Sequence, residues 1–509
     1  MKRIILLFLV SFFVIPSFAQ RSLKKKLKDL DTYYSESLEK WEVPGMAIAI
    51  VKNDSIVFEK GYGVLDMDEQ DRVDQYSMFP IASNTKAFTA AALGILVEEG
   101  KLKWDDKVRE QLPWFELYDP YVTCNMTVRD LLCHRSGLKT FSGDLIWYGT
   151  DYNRQEVVER ARYLEPVYGF RAHYGYSNIM YIAAGLVVEK ISGMRWDEFL
   201  NEHFFEPLKM QRTITSTSEL PGYQNVATPH TTYQNEVIAI PYLNWDNVGP
   251  AGSIISSVHD VSQWLRMQLN NGVYEGDTLF GERTAHEMWS PQTIQGVSRW
   301  TMENMPTHFK SYGLGWALMD YHGKKVVSHG GGYDGMISQT AMVPEEDLGI
   351  VILTNKNAWL ILPVLYETLD IFLAEHQKDW NEFYLEFWNK RKEAEKKRIQ
   401  RLEDERIRNT SPSLPLSEYT GLYHDKMYGD AEIKLTDGKL RVQLLPAPEF
   451  KGRMEHYHFD TFEIEFYNFP SLPTGLVNFN LDEKGKVASM LIDVPNPDFD
   501  FTEMKFVKQ

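Results

Sequence analysis

A serine and a lysine with two residues between them are the first pair in this chain whose types and spacing could do chemistry together. Ser83 and Lys86 form a Ser-x-x-Lys motif at the start of a predicted helix, residues 86–99, which Gly100 ends. The serine lies at the positive end of the helix dipole, and the lysine shares its face one turn on. A serine alcohol becomes a useful nucleophile only beside a base, and a partly desolvated lysine can serve.

The motif alone is weak, because the chain holds three further copies, which begin at Ser22, Ser37 and Ser136. Taken by itself, each copy favours an N-cap serine with a solvated lysine. Only the copy at Ser83 combines a β-like entry, residues 78–81, with a long apolar helix after it.

A tyrosine and an asparagine lie at the mouth of a second predicted helix, residues 178–191. Tyr176 and Asn178 follow Gly175, where side chains project into a cleft. Cationic or polarising neighbours there would lower the pKa of the phenol far enough for it to relay protons. The Asn178 amide would serve a substrate carbonyl and the lysine. Tyr-x-Asn also occurs elsewhere in the chain, so alone this pair favours a buried structural tyrosine.

Three consecutive glycines follow a histidine on or just after a late predicted strand. His329 precedes Gly330, Gly331 and Gly332. Glycines let a backbone approach a ligand closely, and their N–H groups can face an oxyanion. A β-bulge or turn is the alternative interpretation. No second histidine lies at the spacing that would indicate a zinc site.

The elements that would position these residues run from strands to helices and back to strands. Residues 46–51 and 55–58 are β-rich and separated by a turn, which predicts an N-terminal hairpin. Helical patterns dominate to about residue 310, and strands return at residues 325–328, 336–343 and 348–354. This order predicts an α/β (α+β) domain, with one antiparallel sheet that unites both ends and is flanked by helices.

The chain divides into four parts by composition. We predict a signal peptide over residues 1–19, a domain that holds the three motifs over 20–375, a charged helical connector over 376–410, and an antiparallel, barrel-like β domain over 411–509. Opposite charges alternate along the connector, as in a helix stabilised by surface ion pairs. In the last part, alternating apolar runs on both sides of Asp437-Gly438 predict a hairpin.

The start of the chain and its charge limit where it acts and what it binds. A cationic start, a short apolar run and small residues before Gln20 are typical of a secretory signal peptide. The run is too short for a stable membrane anchor, so we expect a secreted or periplasmic protein. Lys+Arg 54 against Asp+Glu 71 give a formal charge of −17, which argues against nucleic acid as a partner.

The two cysteines are too few for a disulfide scaffold. Cys133 lies in a helical pattern beside apolar neighbours, which favours a buried free thiol. A single disulfide between Cys124 and Cys133 stays open.

The order of the three motifs resembles that of the serine β-lactamase and penicillin-binding protein superfamily. More narrowly, it is similar to the class C type serine hydrolases, which include D-alanyl-D-alanine carboxypeptidases, D-aminopeptidases and esterases. The resemblance covers roughly residues 30–375, and the segment near Glu418 resembles the lipocalin-like module appended to some of these hydrolases. Further supporting stretches are residues 131–138, 205–210, 249–253 and 312–316.

The resemblance implies a role for each residue of the first two motifs. Ser83 would be the acylated nucleophile and Lys86 its proton acceptor. Tyr176 would be the general base or acid that serves the leaving group and the deacylating water. Asn178 would hold the substrate amide.

The glycine motif departs from the pattern of the β-lactamases. His329 takes the place of the lysine in Lys-Thr-Gly, while the N–H groups of Ser83 and Gly332 would form the oxyanion hole, with Gly331 beside them. A histidine is mostly neutral near pH 7 and gives a weaker fixed charge for a substrate carboxylate. Peptidase or esterase action is therefore favoured over β-lactam turnover.

We therefore expect an exported, metal-independent serine hydrolase that needs no cofactor and acts on a small-molecule or peptide substrate. The substrate would be a small ester, an amide or a D-amino-acid peptide. A non-catalytic protein that keeps the fold to bind peptidoglycan fragments or a partner is the alternative. A lipid or small-ligand carrier led by the C-terminal module is a third reading. The sequence leaves the oligomeric state and the exact substrate open.

Overall fold

The computed structural model describes residues 22–374 and 378–509. The predicted signal peptide, residues 1–19, lies outside the described residues. Within the described ranges, no helix is long and apolar enough to cross a membrane.

An antiparallel eight-stranded sheet forms the centre of the first domain. Its strands and the three short strand pairs that lie between them in sequence are β1 Gly45–Lys52, β2 Ser55–Gly63, β3 Phe79–Pro80, β4 His230–Tyr233, β5 Glu236–Ala239, β6 Ile255–Ser256, β7 Val273–Tyr274, β8 Asp277–Thr278, β9 Thr293–Gln295, β10 Lys310–Tyr312, β11 Ala317–Tyr321, β12 Lys324–Tyr333, β13 Met336–Val343 and β14 Leu348–Thr354. The order in the sheet is β2-β1-β14-β13-β12-β11-β10-β9. Ile48 of β1 lies opposite Ile352 of β14, so the two ends of the domain share one sheet, as predicted.

Most of the α-helices lie between β2 and β9 in sequence, and others flank the domain at both ends. They are α1 at residues 22–40, α2 Thr85–Glu98, α3 Val108–Gln111, α4 Pro120–Asn125, α5 Val128–Leu132, α6 Arg154–Arg160, α7 Asn178–Ser192, α8 Trp196–Leu200, α9 Gly249–Gly252, α10 Val258–Leu269, α11 Glu282–Met288, α12 Arg299–Asn304, α13 Ile361–Leu373 and α14 Trp380–Glu405.

Both faces of the sheet are covered, and alternate residues of its central strands serve two different cores. In β1, Ala47 and Ala49 pack in the core that contains α2 and α10, while Ile48 and Ile50 pack in the core that contains α13. A strand that is buried on both sides reads as a continuous apolar run. This explains the unbroken hydrophobic stretch of β1.

Strand β12 is longer than its sequence pattern predicts. It runs from Lys324 to Tyr333 rather than over residues 325–328, so His329 and the three glycines continue the strand. Gly331 lies directly opposite Ser338 of β13. The glycines therefore form regular sheet here, and the bulge or turn that was the alternative does not occur.

Helix α2 is buried on all sides over its first twelve residues, Thr85 to Leu96. The ring of Phe88 stacks on that of Trp264 with centroids 3.8 Å apart, and the indole N–H of Trp196 donates to Thr89 Oγ1 at 3.0 Å. A helix that is apolar all round belongs in an interior. Any cation on its first turn is therefore held away from water.

Helix α14 differs from the uniformly charged connector that its composition predicts. Its second half is charged and forms ion pairs such as Lys397–Glu393. Its first half carries aromatic side chains that pack on the core beside α13, and Trp380 donates from Nε1 to Asp370 Oδ2 at 2.7 Å. Because charged residues dominate the composition of this segment, a count of residue types does not reveal the aromatic face.

The C-terminal domain is a closed barrel of eight antiparallel strands. They are β15 Gly421–Asp425, β16 Gly429–Thr436, β17 Lys439–Leu444, β18 Lys451–His458, β19 Thr461–Phe466, β20 Gly475–Leu481, β21 Val487–Asp493 and β22 Phe506–Lys508. The hairpin predicted around Asp437-Gly438 joins β16 to β17. Aromatic side chains fill the interior: Tyr419 and Phe462 both contact Phe479, with ring centroids 5.0 and 5.6 Å from it.

Both cysteines are free, Cys124 at the surface and Cys133 in the core. Burial raises the pKa of the Cys133 thiol to about 11, so the group stays protonated near neutral pH. The disulfide that the sequence left open does not form.

Replacing a side chain by alanine should have different effects on stability in the two halves of α14. Trp380→Ala removes a side chain that is only 2% exposed and leaves Asp370 without its indole donor, so we expect a loss of about 3–5 kcal/mol in the free energy of unfolding. Lys397→Ala, in the exposed half, should stay within about 0.5 kcal/mol of wild type. Thermal unfolding followed by near-ultraviolet circular dichroism compares them, and equal midpoints would contradict the division of the helix.

Candidate active site

Ser83 lies in a short 3₁₀ turn that leads directly into α2. Ala82, just before it, has a φ of 46°, a left-handed conformation that is uncommon for a residue with a side chain. The Asn84 amide holds the turn by donating to the Ile81 carbonyl oxygen at 3.0 Å and to Ser338 Oγ at 2.9 Å. Strained turns of this kind cluster at functional sites, where the surroundings hold them in place. Ser83 itself is half-buried.

The Lys86 amine has three acceptors around it. Its Nζ lies 2.7 Å from Asn178 Oδ1, 2.8 Å from the Ala251 carbonyl oxygen and 3.1 Å from Ser83 Oγ. A neutral amine has two N–H donors and one lone pair. Donation to Asn178 and Ala251 leaves the lone pair for the Ser83 hydroxyl proton, which fits the longer third distance.

The protonation state of Lys86 follows from its burial. The side chain is fully buried, and loss of hydration lowers its pKa well below the usual value, although the charge of Asp144 acts in the opposite direction. The rings of Tyr176 and Tyr181 lie 4.7 and 5.3 Å from Nζ. Burial therefore favours the uncharged form of the amine, the form that can accept a proton.

A buried carboxyl group stands behind Asn178. Asn178 Nδ2 donates to Asp144 Oδ2 at 2.7 Å, and Trp147 Nε1 donates to Asp144 Oδ1 at 2.9 Å. Burial raises the pKa of Asp144 to about 7, against the effect of these two hydrogen bonds. Asp144 thus fixes the orientation of the amide whose oxygen faces Lys86, and one N–H of that amide is already engaged.

Tyr176 lies beside Ser83, but its phenol is harder to ionise than the sequence predicts. Burial raises the pKa of Tyr176 well above its usual value, although a hydrogen bond with Ser83 acts the other way. The expected lowering depended on cationic neighbours, and burial disfavours the cationic form of Lys86. Tyr176 is therefore a proton donor in the resting site.

His134 holds the backbone on both sides of Tyr176. Its carbonyl oxygen accepts from the Gly175 N–H at 2.9 Å, and its Nδ1 accepts from the Ser177 N–H at 3.1 Å. The imidazole ring lies 4.1 Å from the Tyr176 ring. Burial lowers the pKa of His134 well below its usual value, followed by the effects of Lys86 and His329. His134 is therefore an uncharged residue that holds the backbone around Tyr176 by hydrogen bonds.

His329 is buried and uses both ring nitrogens inside the protein. Nε2 lies 2.8 Å from Tyr312 Oη, and Nδ1 lies 2.6 Å from the Gly330 carbonyl oxygen. Because a carbonyl only accepts, Nδ1 carries the proton and Nε2 accepts from the tyrosine. Burial, followed by the effect of Lys86, lowers the pKa of His329 to about 3. This position supplies no positive charge at neutral pH.

The glycine strand passes directly against the turn that carries Ser83. A Cβ atom at Gly331 would lie 2.3 Å from the Ile81 carbonyl oxygen and 3.0 Å from the Ser83 nitrogen. A Cβ atom at Gly332 would be much less crowded, since its nearest neighbour would be Ile337 Cδ1 at 3.9 Å. Only glycine permits this approach at 331. The edge of β12 is thereby brought beside Ser83.

The family model described as Beta-lactamase matches residues 30–361, about two thirds of the chain. The chain belongs to the beta-lactamase family. A second model, a domain of unknown function named DUF3471, matches residues 405–508, the part of the chain that forms the barrel.

Several relatives of this beta-lactamase family member cover most of its length. Unguisins hydrolases of Aspergillus campestris and Aspergillus violaceofuscus are 27% and 28% identical to it over 79% and 81% of this chain, and 76% and 78% of their own. Protein flp of Staphylococcus aureus is 25% identical over 69% of this chain and 67% of its own. The octameric penicillin-binding protein homologue from Pyrococcus abyssi covers 95% of this chain and all of its own, with a TM-score of 0.62 at 21% identity. This last likeness shows the shared fold.

The fold brings together all the residues that the motifs of this beta-lactamase family member single out. Lys86 contacts Ser83 and Asn178 directly, the Tyr176 ring packs on Lys86 and on His134, and β12 brings Gly331 against the nucleophile turn. The sequence reasoning missed Asp144 and the roles of His134 and Asn84. His134 belongs to the stretch 131–138 that supports the resemblance, but Asp144 follows an ordinary loop glycine and carries no local signal.

A large cavity of about 1330 Å³ lies near the end of β12, between the two domains. Asp334, the residue after β12, lines it with residues 149–155 and 238–244 from the catalytic domain, and residues 467–471 from the barrel. Small-molecule pockets are usually about 300–1,000 Å³. No group of three or more metal-ligating side chains occurs in the described ranges.

Replacing Asp144 by asparagine should change how stability depends on pH. The pKa of this carboxyl is 3.8 in its ordinary state and about 7 in the folded chain. Its stabilising contribution is therefore complete below pH 3.8 and is lost as the pH rises to about 7, a loss of about 4 kcal/mol at 1.36 kcal/mol per pH unit. In urea unfolding, the free energy of unfolding of Asp144→Asn relative to that of wild type should therefore rise by about 4 kcal/mol between pH 4 and pH 7. The exposed Asp277→Asn is the control, and a pH-independent difference for Asp144→Asn would contradict the assignment.

Proposed function

We propose that this protein is an exported serine hydrolase that forms an acyl-enzyme on Ser83 with a small ester, an amide or a D-amino-acid peptide. The observation that carries the proposal is the fully buried Lys86 amine 3.1 Å from Ser83 Oγ. Its other two contacts consume its donors and leave a lone pair for the serine proton. The hydrolase names of two relatives support the same class of reaction.

Acylation follows from these contacts. Ser83 Oγ attacks the substrate carbonyl carbon while its proton passes to Lys86 Nζ, and the carbonyl oxygen develops negative charge. The N–H groups of Ser83 and Gly332 are the proposed donors to that oxygen, where fixed dipoles are most effective. The positive charge that forms on Lys86 is offset by Asp144 through Asn178.

Tyr176 completes the cycle as a proton donor and then a proton acceptor. Its phenol gives a proton to the leaving oxygen or nitrogen as the bond to the acyl carbon breaks, and Lys86 returns the serine proton to the phenolate. In deacylation the same groups work in reverse, with water as the nucleophile and Ser83 as the leaving group. A phenol with a high pKa is a suitable donor to an amine or alkoxide of similar basicity.

The neutral His329 favours substrates without a carboxylate beside the scissile bond. In this role a lysine would pair with a substrate carboxylate, whereas a buried imidazole bonded to Tyr312 and Gly330 offers neither charge nor a free N–H. Esters, amides and peptides whose carboxylate is distant or absent therefore fit better than β-lactams.

The nucleophile can be tested by covalent labelling. A fluorophosphonate probe should modify the wild-type chain and fail to modify Ser83→Ala, because Ser83 has the buried Lys86 amine at hydrogen-bond distance. Ser22→Ala, which removes the exposed serine of another Ser-x-x-Lys copy, is the matched control and should label like wild type. Intact mass spectrometry reads the adduct; equal labelling of Ser83→Ala would remove the assignment. Tight binding of peptides without any labelling would instead favour the non-catalytic alternative.

The role of Tyr176 can be tested by turnover. Tyr176→Phe keeps the ring contacts with His134 and Lys86 but removes the proton donor, so we expect kcat on a short-chain ester to fall about 100-fold or more. Circular dichroism should show an unchanged fold. Tyr174→Phe is the control, since this neighbouring tyrosine is not part of the proton path. Wild-type turnover by Tyr176→Phe would exclude the proposed proton transfer.

A further inference from the structure

One loop of the catalytic domain contacts both Tyr176 and Asn178, the proposed proton donor and the amide that contacts Lys86. We call residues 139–148 the active-site loop. Thr140 Oγ1 accepts from the Tyr176 N–H at 3.2 Å, and the Phe141 N–H donates to the Tyr176 carbonyl oxygen at 2.8 Å. Three residues on, Asp144 accepts from Asn178. The position of this loop therefore sets the positions of Tyr176 and Asn178 together.

The active-site loop contains two residues in the left-handed conformation. Phe141 has a φ of 63° and Gly143 a φ of 77°, and a left-handed phenylalanine is a costly conformation that needs support from its surroundings. The residues that oppose the loop from outside the catalytic domain belong to the barrel.

A single barrel carboxylate bonds the loop at its strained part. Glu503 Oε1 accepts from Ser142 Oγ at 2.6 Å, and Glu503 Oε2 accepts from the Gly143 N–H at 2.8 Å. Oε2 also accepts from Tyr428 Oη of the barrel at 2.9 Å. The carboxylate is therefore oriented from its own domain and binds two consecutive residues of the other.

The ends of the loop are tied to the barrel as well. Lys139 forms an ion pair with Asp500. Tyr148 packs against three barrel rings, and its centroid is 4.1 Å from that of Phe499, 5.5 Å from Phe469 and 5.8 Å from Phe450. These contacts leave Glu503 as the barrel group that reaches the middle of the loop.

We propose that Glu503 is a positioning residue for the active site, and that the barrel is a required part of the hydrolase. Glu503 accepts from the Gly143 N–H, the next residue, Asp144, accepts from Asn178, and Asn178 accepts from Lys86. The inference rests on the proposed function, since it assigns Glu503 to the support of the Ser83 chemistry. Loss of the Glu503 contacts moves the loop and misplaces the base and the proton donor together.

The test compares kcat and KM for ester hydrolysis by variants of the full-length chain. The variants are Glu503→Ala, Glu503→Gln and the matched control Glu455→Ala, which removes an exposed barrel carboxylate paired with Lys439. A misplacement of about 1 Å can cost about 100-fold in rate, so Glu503→Ala should lower kcat on a short-chain ester by about 30- to 100-fold. KM should stay within about threefold, because the substrate does not contact Glu503. Glu503→Gln keeps one acceptor oxygen and should lose less, while Glu455→Ala should match wild type.

A double-mutant cycle with Ser142→Ala separates positioning from a general loss of stability. Ser142 and Glu503 are direct partners, so the combined variant Ser142→Ala/Glu503→Gln should lose no more than the worse single variant, whereas independent effects multiply. This cycle also serves if Glu503→Ala fails to fold. Multiplying effects, or a folded Glu503→Ala with wild-type kcat, would overturn the positioning role while labelling of Ser83 by a fluorophosphonate persists. Absence of labelling in the wild-type chain would remove the proposed function and this inference together.

Discussion

The burial of one amine governs this active site. Lys86 is placed on the first turn of a helix that is surrounded by apolar side chains, so its charged form loses hydration that nothing nearby replaces in full. A lysine in water would be protonated at neutral pH and useless as a base. Burial of the amine therefore favours its unprotonated form, which can act as a base, and the rest of the site must hold that amine against Ser83 while keeping water away.

Each layer around Lys86 fixes the layer inside it. Asn178 and the Ala251 carbonyl consume the two donors of the amine, so its lone pair can face only the serine. Asp144 orients Asn178, and the active-site loop carries Asp144. Outside the loop stands the barrel with Glu503. Directional hydrogen bonds of this kind add modest stability individually, but in series they select one geometry, which is what proton transfer over about 3 Å requires.

The sequence could predict the fold and most of the inner layer, because both leave local patterns. Periodic apolar residues gave the hairpin β1–β2 and strands β13 and β14, and the helix-start motifs indicated Ser83 and Tyr176. Asp144 could not be found in this way, since its partner Asn178 is 34 residues distant and the loop around it has no periodicity. The pKa of Tyr176 was predicted in the wrong direction for a related reason: the charge state of its neighbours depends on burial, which only the assembled core determines.

The electrostatic character of the site differs from that of the whole chain. The chain carries a formal charge of −17, yet burial disfavours positive charge beside Ser83: it lowers the pKa of Lys86 well below its usual value and the pKa of His329 to about 3. A carboxylate that enters this cleft finds no compensating cation at the His329 position. An uncharged carbonyl needs no such partner, and the negative charge of its tetrahedral intermediate forms as Lys86 becomes positive. The one cation of the site is thus created by the reaction itself, so the charge stabilises the transition state more than the bound substrate.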